Sequence, residues 1–248
     1  MTYTKQTYEI EAKKPYLFIG SKVRGALGYA LKEEVCINPS FECKACFAAN
    51  ECIFYKMYEM QNITHDYRLD FKLENEKYKF SILLFDDAQK FNKEIKKATL
   101  KSLEKYKDVT YKEKSKKLKT KGFSSIIKLT FLTPLRIKKQ NRFATNDIDL
   151  FDILLSIKKR YLALKKLPDE KLDISQEYKV ISKNLKYQEL VRRSNKQDTK
   201  MNMGGLMGEM IISNIDKKTY ELLKLGEIIG VGKSTVFGLG KIKIEEMA

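Results

Sequence analysis

The chain has 248 residues, long enough for one large core or two of ordinary size, and two is the better starting point. Its 49 Lys plus Arg against 32 Asp plus Glu leave a net charge of +17, the electrostatic footprint of a nucleic-acid binder. Hydrophobic content of 43% is that of a globular protein, and no apolar run approaches the ~20 residues that span a bilayer, so a soluble protein with no membrane partner is expected. Met1-Thr-Tyr-Thr-Lys5 lacks the charged start and apolar core of a secretion signal, which predicts a reducing, cytoplasmic setting without disulfides.

Alternation over Thr7 to Ala12 predicts a half-buried strand closed by Pro15. Lys22 to Val35 places Val23, Ala26, Leu27, Ala30 and Leu31 at helical spacing, with Ser21 as N-cap. Gly25 and Gly28 weaken that helix, so they point to close packing or to the approach of a ligand. Cys36-x6-Cys43-x2-Cys46-x5-Cys52 then gathers every cysteine of the chain into seventeen residues. Four soft ligands this close suit a structural zinc or an iron–sulfur cluster, with ordinary reduced thiols as the alternative. A short helical piece, Phe54 to Met60, leads to His65, the single histidine.

Tyr67 to Leu73 and Tyr78 to Leu84 alternate on either side of Glu74-Asn75-Glu76-Lys77, a predicted hairpin. Asp86 or Asp87 should cap a helix that turns Ala88, Phe91, Ile95, Ala98, Leu103 and Tyr106 inward. Val109, Tyr111 and Leu118 complete a strand with a basic tail, Lys112 to Lys121. The order strand, helix, strand, strand, helix, strand is that of a ferredoxin-like domain, here residues 1–119 with the cysteines as an insertion.

The pattern repeats over residues 120–248. Ile126 to Phe131 is a strand ending at Thr133-Pro134, and Asn146 or Asp147 caps a helix burying Leu150, Phe151, Leu154, Leu155, Tyr161 and Leu162. Tyr178 to Leu185 and Tyr187 to Arg193 read as strands, the second continuing through Gly204-Gly-Leu-Met-Gly208 toward Met210. Asp216 caps Lys217 to Leu225, and Leu239 to Ile244 is the last strand.

Between them, Gly226 to Gly240 packs five of the twelve glycines into fifteen positions. Such density implies a surface shaped by backbone, and Lys233, Ser234 and Thr235 supply donors suited to phosphates; a glycine-rich hairpin without a ligand is the plainer reading. A nucleotide-binding P-loop is excluded by spacing, because Gly232-Lys233-Ser234 would need a glycine where Glu227 stands and a helix to follow.

Several stretches together resemble one family: the CRISPR-associated endoribonucleases that cut precursor CRISPR RNA in its repeats, the sixth numbered Cas family of the RAMP superfamily, in a cysteine-bearing form. They are Val23-Arg-Gly-Ala-Leu-Gly-Tyr-Ala-Leu31, the cysteine cluster ending Cys52-Ile-Phe-Tyr55, Leu129-Thr-Phe-Leu-Thr-Pro-Leu-Arg136, Lys159-Arg-Tyr-Leu-Ala-Leu164, Gly204-Gly-Leu-Met-Gly208 and Leu222 to Gly240, the last being the most specific. The resemblance implies an α+β fold of two tandem ferredoxin-like (RRM-like, RAMP) domains. It also implies repeat RNA, the precursor crRNA, lying across a basic face, and metal-independent attack of a 2′-hydroxyl that leaves a 2′,3′-cyclic phosphate and a 5′-hydroxyl. Other Cas proteins and a second copy of the chain stay open as partners.

RNA is read through phosphates, 2′-hydroxyls and stacked bases, so Arg136, Lys138, Lys139, Arg142, Arg192, Arg193, Lys196, Lys233, Ser234 and Thr235 are the candidate contacts. Many members of the resembled family use a histidine in or just after the first helix, and residues 21–35 contain none. His65 is the candidate base if the cysteine loop folds over that helix. Otherwise Tyr29, Lys32 or Arg24 would orient the nucleophile and stabilise charge. The competing reading is a non-cleaving RAMP subunit that carries crRNA in an interference complex. A zinc-dependent deaminase would need His or Glu among the ligands and an open site, which the sequence does not offer.

Overall fold

The computed structural model describes residues 1–13, 18–73, 77–118, 120, 122–174, 177–194 and 199–247, with backbone alone at 192–194 and 199–200. The chain divides into two compact units, Met1–Lys117 and Leu118–Ala248. Among the described residues no helix is long and apolar enough to cross a membrane.

The first unit runs β1 (Thr2–Lys13), α1 (Gly20–Val35), β2 (Tyr67–Asp70), β3 (Lys77–Phe85), α2 (Asn92–Leu103) and β4 (Val109–Lys117). Its antiparallel sheet has the order β2-β3-β1-β4, the ferredoxin-like arrangement. Tyr8 of β1 faces Phe80 of β3 with stacked rings 5.3 Å apart, and Val23, Leu27 and Leu31 of α1 and Ile95 and Ala98 of α2 are buried with them. β1 begins five residues before its apolar alternation because Thr4 and Gln6 also point inward. Gln6 is paid for by hydrogen bonds to the Asn92 carbonyl (2.8 Å) and from the Tyr8 hydroxyl (2.7 Å), so a polar residue keeps the strand's period.

Three local readings are corrected. α1 starts at Gly20 after Ile19, and the Ser21 hydroxyl is buried without a hydrogen bond rather than capping the helix. Asp86 and Asp87 open a 3-10 turn, Asp86–Phe91, ahead of α2, and cap no α-helix. Most of the basic tail from Lys112 is strand: β4 pairs with β1 at the sheet edge, where exposed lysines guard against further pairing. Pro15 and the hairpin residues Glu74, Asn75 and Glu76 lie outside the described residues.

The second unit runs β5 (Ile127–Leu135), the short hairpin β6 (Lys138–Lys139) and β7 (Arg142–Phe143), α3 (Leu150–Leu164), β8 (Lys179–Gln188), the ribbon β9 (Val191–Ser194) and β10 (Thr199–Asn202), β11 (Gly205–Ser213), α4 (Lys217–Ile229) and β12 (Ile242–Glu246). The order β12-β5-β11-β8 repeats the topology of the first unit. The predicted strand from Tyr187 onward is really three pieces: the end of β8, the separate ribbon β9–β10, and β11. α3 is preceded by Asp149, not Asn146 or Asp147, and buries Ile153 and Ile157 where Phe151, Leu155 and Tyr161 were expected. Asp216 does cap α4, accepting from the Thr219 backbone N–H at 2.7 Å. α4 continues to Ile229, taking Gly226 into the helix against Ile157, so the glycine-rich loop begins at Gly230.

That loop is tied to the end of β5. The Pro134 carbonyl accepts from Gly240 at 3.0 Å, the Arg136 carbonyl from Lys233 at 2.8 Å, and the Thr133 hydroxyl donates to the Gly238 carbonyl at 3.0 Å. Gly240 has φ +69 and a side chain there would run into the Val231 carbonyl; Gly232 has φ +77 and meets the Arg136 carbonyl in the same way. Gly240→Ala should therefore lower the stability of the second unit by more than about 2 kcal/mol, read as a reduced midpoint in urea unfolding.

Candidate active site and nucleic-acid interface

The cysteine segment folds back onto α1, and the contact is set by a missing side chain. A Cβ on Gly28 would lie 2.7 Å from the Tyr58 ring, so only glycine lets the turn Tyr55–Glu59 settle on the helix. Tyr58 donates to the Arg24 carbonyl at 2.7 Å, while the Arg24 guanidinium lies 4.3 Å from the centroid of the Tyr58 ring and donates to the Met57 carbonyl at 3.0 Å. Arg24 Nε also donates to the Tyr67 hydroxyl, at 3.0 Å. Burial raises the Tyr67 pKa, with the charge and hydrogen bond of Arg24 pulling the other way.

His65 stands two residues before Tyr67, its ring centroid 5.9 Å from that of Tyr67. Its Nδ1 is 3.1 Å from the Lys56 carbonyl. A carbonyl can only accept, so in the neutral ring Nδ1 carries the proton and the lone pair belongs to Nε2. The structure thus joins two sequence-predicted residues, His65 and Arg24, through Tyr67. It separates the other two: Tyr29 is 81% exposed on the outer side of α1, and the Lys32 ammonium lies over Phe54 and Phe41, 5.4 and 5.8 Å from the centroids.

Cys36, Cys43, Cys46 and Cys52 are all free thiols and line one cavity of about 360 Å³ with Phe54 and Glu94. Among the described residues no group of three or more His, Cys, Asp or Glu could hold a metal ion, so the expected zinc or iron–sulfur site has no support in the structure. Local turns hold these residues: the Cys36 N–H bonds the Lys32 carbonyl at the end of α1, and the Cys52 N–H bonds Ala48. Burial raises the Cys43 pKa, Lys32 opposes the rise, and Glu59, Cys36 and Cys52 add to it.

In the second unit the basic candidates divide. Arg136 is 8% exposed, donates to the Gly204 carbonyl at 2.6 Å and stacks 4.2 Å from the Phe143 ring centroid; it shapes the fold rather than offering a free guanidinium. Lys139 is bound by Asp149 and Asp152, each at 3.0 Å, which raises its pKa and offsets its charge. Lys138, Arg142 and Lys233 are exposed, whereas Ser234 is half-buried and Thr235 is buried. Arg192 and Arg193 sit on β9, opposite Met201 and Lys200 in register, with their side chains outside the described residues, as is all of Lys196.

The sequence reading missed Tyr58 and Tyr67, the partners that fix Arg24, and Ser156, whose hydroxyl accepts from the Gly232 N–H at 2.9 Å. The available signal for the first pair was Gly28, a glycine inside a helix, which announces a bulky neighbour without naming it.

Two ferredoxin-like units, the second closed by a glycine-rich loop against its first strand, define an α+β protein of tandem ferredoxin-like domains. Residues 129–242 match the family described as CRISPR-associated endoribonuclease Cas6, and residues 1–106 match a second family described as an N-terminal domain. Residues 129–242 are thus similar to the Cas6 family. No curated protein sequence matches it significantly. Among solved structures it is similar to a Cas6 product complex (TM-score 0.59, 15% identity, covering 98% of this chain and 99% of that one). It is also similar to Thermus thermophilus Cas6 (0.57, 15%, 99% and 98%) and to a RAMP protein binding different RNA substrates (0.54, 12%, 99% and 100%).

The raised Cys43 pKa means less thiolate at a given pH than in an unstructured peptide. Iodoacetamide labelling followed by mass spectrometry should show Cys43 alkylated more slowly than a free cysteine peptide at pH 8, with its rate rising over a higher pH range. Unfolding in urea should abolish the difference.

Proposed function

We propose that this chain binds CRISPR repeat RNA and cuts precursor crRNA without a metal ion, by in-line attack of a 2′-hydroxyl on the adjacent phosphate. The oxygen–phosphorus bond to the 2′-oxygen forms, the bond to the 5′-oxygen breaks, and the ends are a 2′,3′-cyclic phosphate and a 5′-hydroxyl. The observation that carries this reading is the seat of His65, the one histidine, against Tyr67 and, through it, Arg24 of α1.

In this reading His65 Nε2 is the base that takes the 2′ proton, while a proton from solvent reaches the departing 5′-oxygen. The Lys56 carbonyl holds the required tautomer. Arg24 is a positioning residue: its bonds to Tyr67 and Met57 fix the wall on which the imidazole rests. Lys138, Arg142 and Lys233, with Arg192 and Arg193 of the β9–β10 ribbon, are the candidate phosphate contacts of the second unit. The competing carrier role is supported by the lack of histidine within α1.

RNA carrying the repeat beside the protein's own locus, incubated with the wild type and excess EDTA, should be cut at one site with a cyclic phosphate end. His65→Ala should slow cutting by about 10² to 10⁴ while binding is retained. Tight binding by the wild type with no cutting would make the chain a crRNA carrier. Cutting that EDTA abolishes would overturn the metal-independent mechanism.

A further inference from the structure

The two glycines inside α1 have different reasons to be glycine. Gly28 is required by the fold, because the Tyr58 ring occupies the space of its side chain. At Gly25 a Cβ would meet nothing within 4 Å, and its φ is not in the left-handed range. The residue is exposed and sits mid-helix, where glycine is less stable than alanine. Nothing within the described fold accounts for it.

Its neighbours on the helix surface are informative. Lys22 lies three residues before it and Tyr29 four residues after, so the three form one strip along the outer face of α1. Lys22 is exposed, and Tyr29, at 81%, is the most exposed large apolar side chain among the described residues. Glu33, one turn beyond, is paired with Lys101 at 3.1 Å, so the carboxylate nearest the strip has a cation beside it. A bare patch of helix, flanked by a cation and an aromatic face, has the chemistry of a single-stranded nucleic-acid contact: backbone close approach, phosphate attraction and base stacking.

We infer that the Lys22–Gly25–Tyr29 strip of α1 is a docking site for single-stranded RNA, with the sugar–phosphate backbone passing over Gly25 and one base stacked on Tyr29. The inference rests on the RNA-processing reading above and assigns Tyr29 to binding rather than to chemistry. Gly25 is then a specificity device of shape, since any side chain there would hold the strand away from the helix.

The test exploits opposite effects on stability and binding. Gly25→Ala should raise the melting temperature by about 2–4 °C, because the space is open and alanine favours helix. The same variant should weaken binding of the fluorescein-labelled repeat RNA about tenfold, and Gly25→Gln further. Tyr29→Ala should weaken binding about 5- to 150-fold, the range expected for one stacked base, and Tyr29→Phe should restore most of that loss. If Gly25→Ala and Gly25→Gln bind and cut the repeat as the wild type does, the strip is not a docking site, although the processing activity stands. If Tyr29→Phe binds but cannot cut, the phenol hydroxyl is doing chemistry and the assignment of Tyr29 to binding rather than chemistry falls. If the wild type itself neither binds nor cuts repeat RNA, the functional reading fails and this inference fails with it.

Discussion

The second unit depends on how closely the chain can return to the end of β5. Backbone meets backbone there: the carbonyls of Pro134 and Arg136 receive N–H groups from Gly240 and Lys233, and Thr133 reaches the Gly238 carbonyl. At Gly232 and Gly240 a side chain and a carbonyl would claim the same space. Proline fits at 134 because β12 pairs with β5 only as far as Phe131, so the missing N–H breaks no bond to β12. The glycine-rich segment is thus first a structural closure. What the closure leaves outside is the Lys233 side chain, which is exposed, while Thr235 is turned in.

The first unit applies the same rule to a helix and an insertion. Gly28 lets Tyr58 settle on α1, Tyr58 and Tyr67 then bracket Arg24, and the chain leaving that contact delivers His65 beside Tyr67. A histidine far along the sequence from α1 comes to the same cluster because the four-cysteine segment is folded back between them. The cysteines and the histidine are therefore linked mechanically: the segment that forms the thiol-lined cavity ends in the turn whose Lys56 carbonyl holds the imidazole.

The net charge of +17 is also redistributed by folding. Basic residues that look alike in the sequence differ in what remains of their charge: Lys139 is bracketed by two aspartates, Lys32 lies over aromatic rings, and Arg136 is buried beside Phe143. Lys138, Arg142 and Lys233 keep their side chains in solvent. A basic composition announces a polyanion, but the usable cations are a subset selected by packing.

By itself the sequence determined the two ferredoxin-like units, because the periods of strand and helix are local properties and their order recurs. It also determined the Asp216 cap and the unusual character of Gly25, Gly28 and the loop before Gly240. Its errors fell where a partner distant in sequence decides: the buried Gln6 that prolongs β1, the ribbon β9–β10 that interrupts the predicted strand, and the extension of α4 through Gly226. Only the tertiary structure could decide that Gly28 answers to Tyr58 while Gly25 answers to nothing among the described residues. The need for glycine is set by what occupies the space beyond its Cα, and that neighbour is supplied by folding.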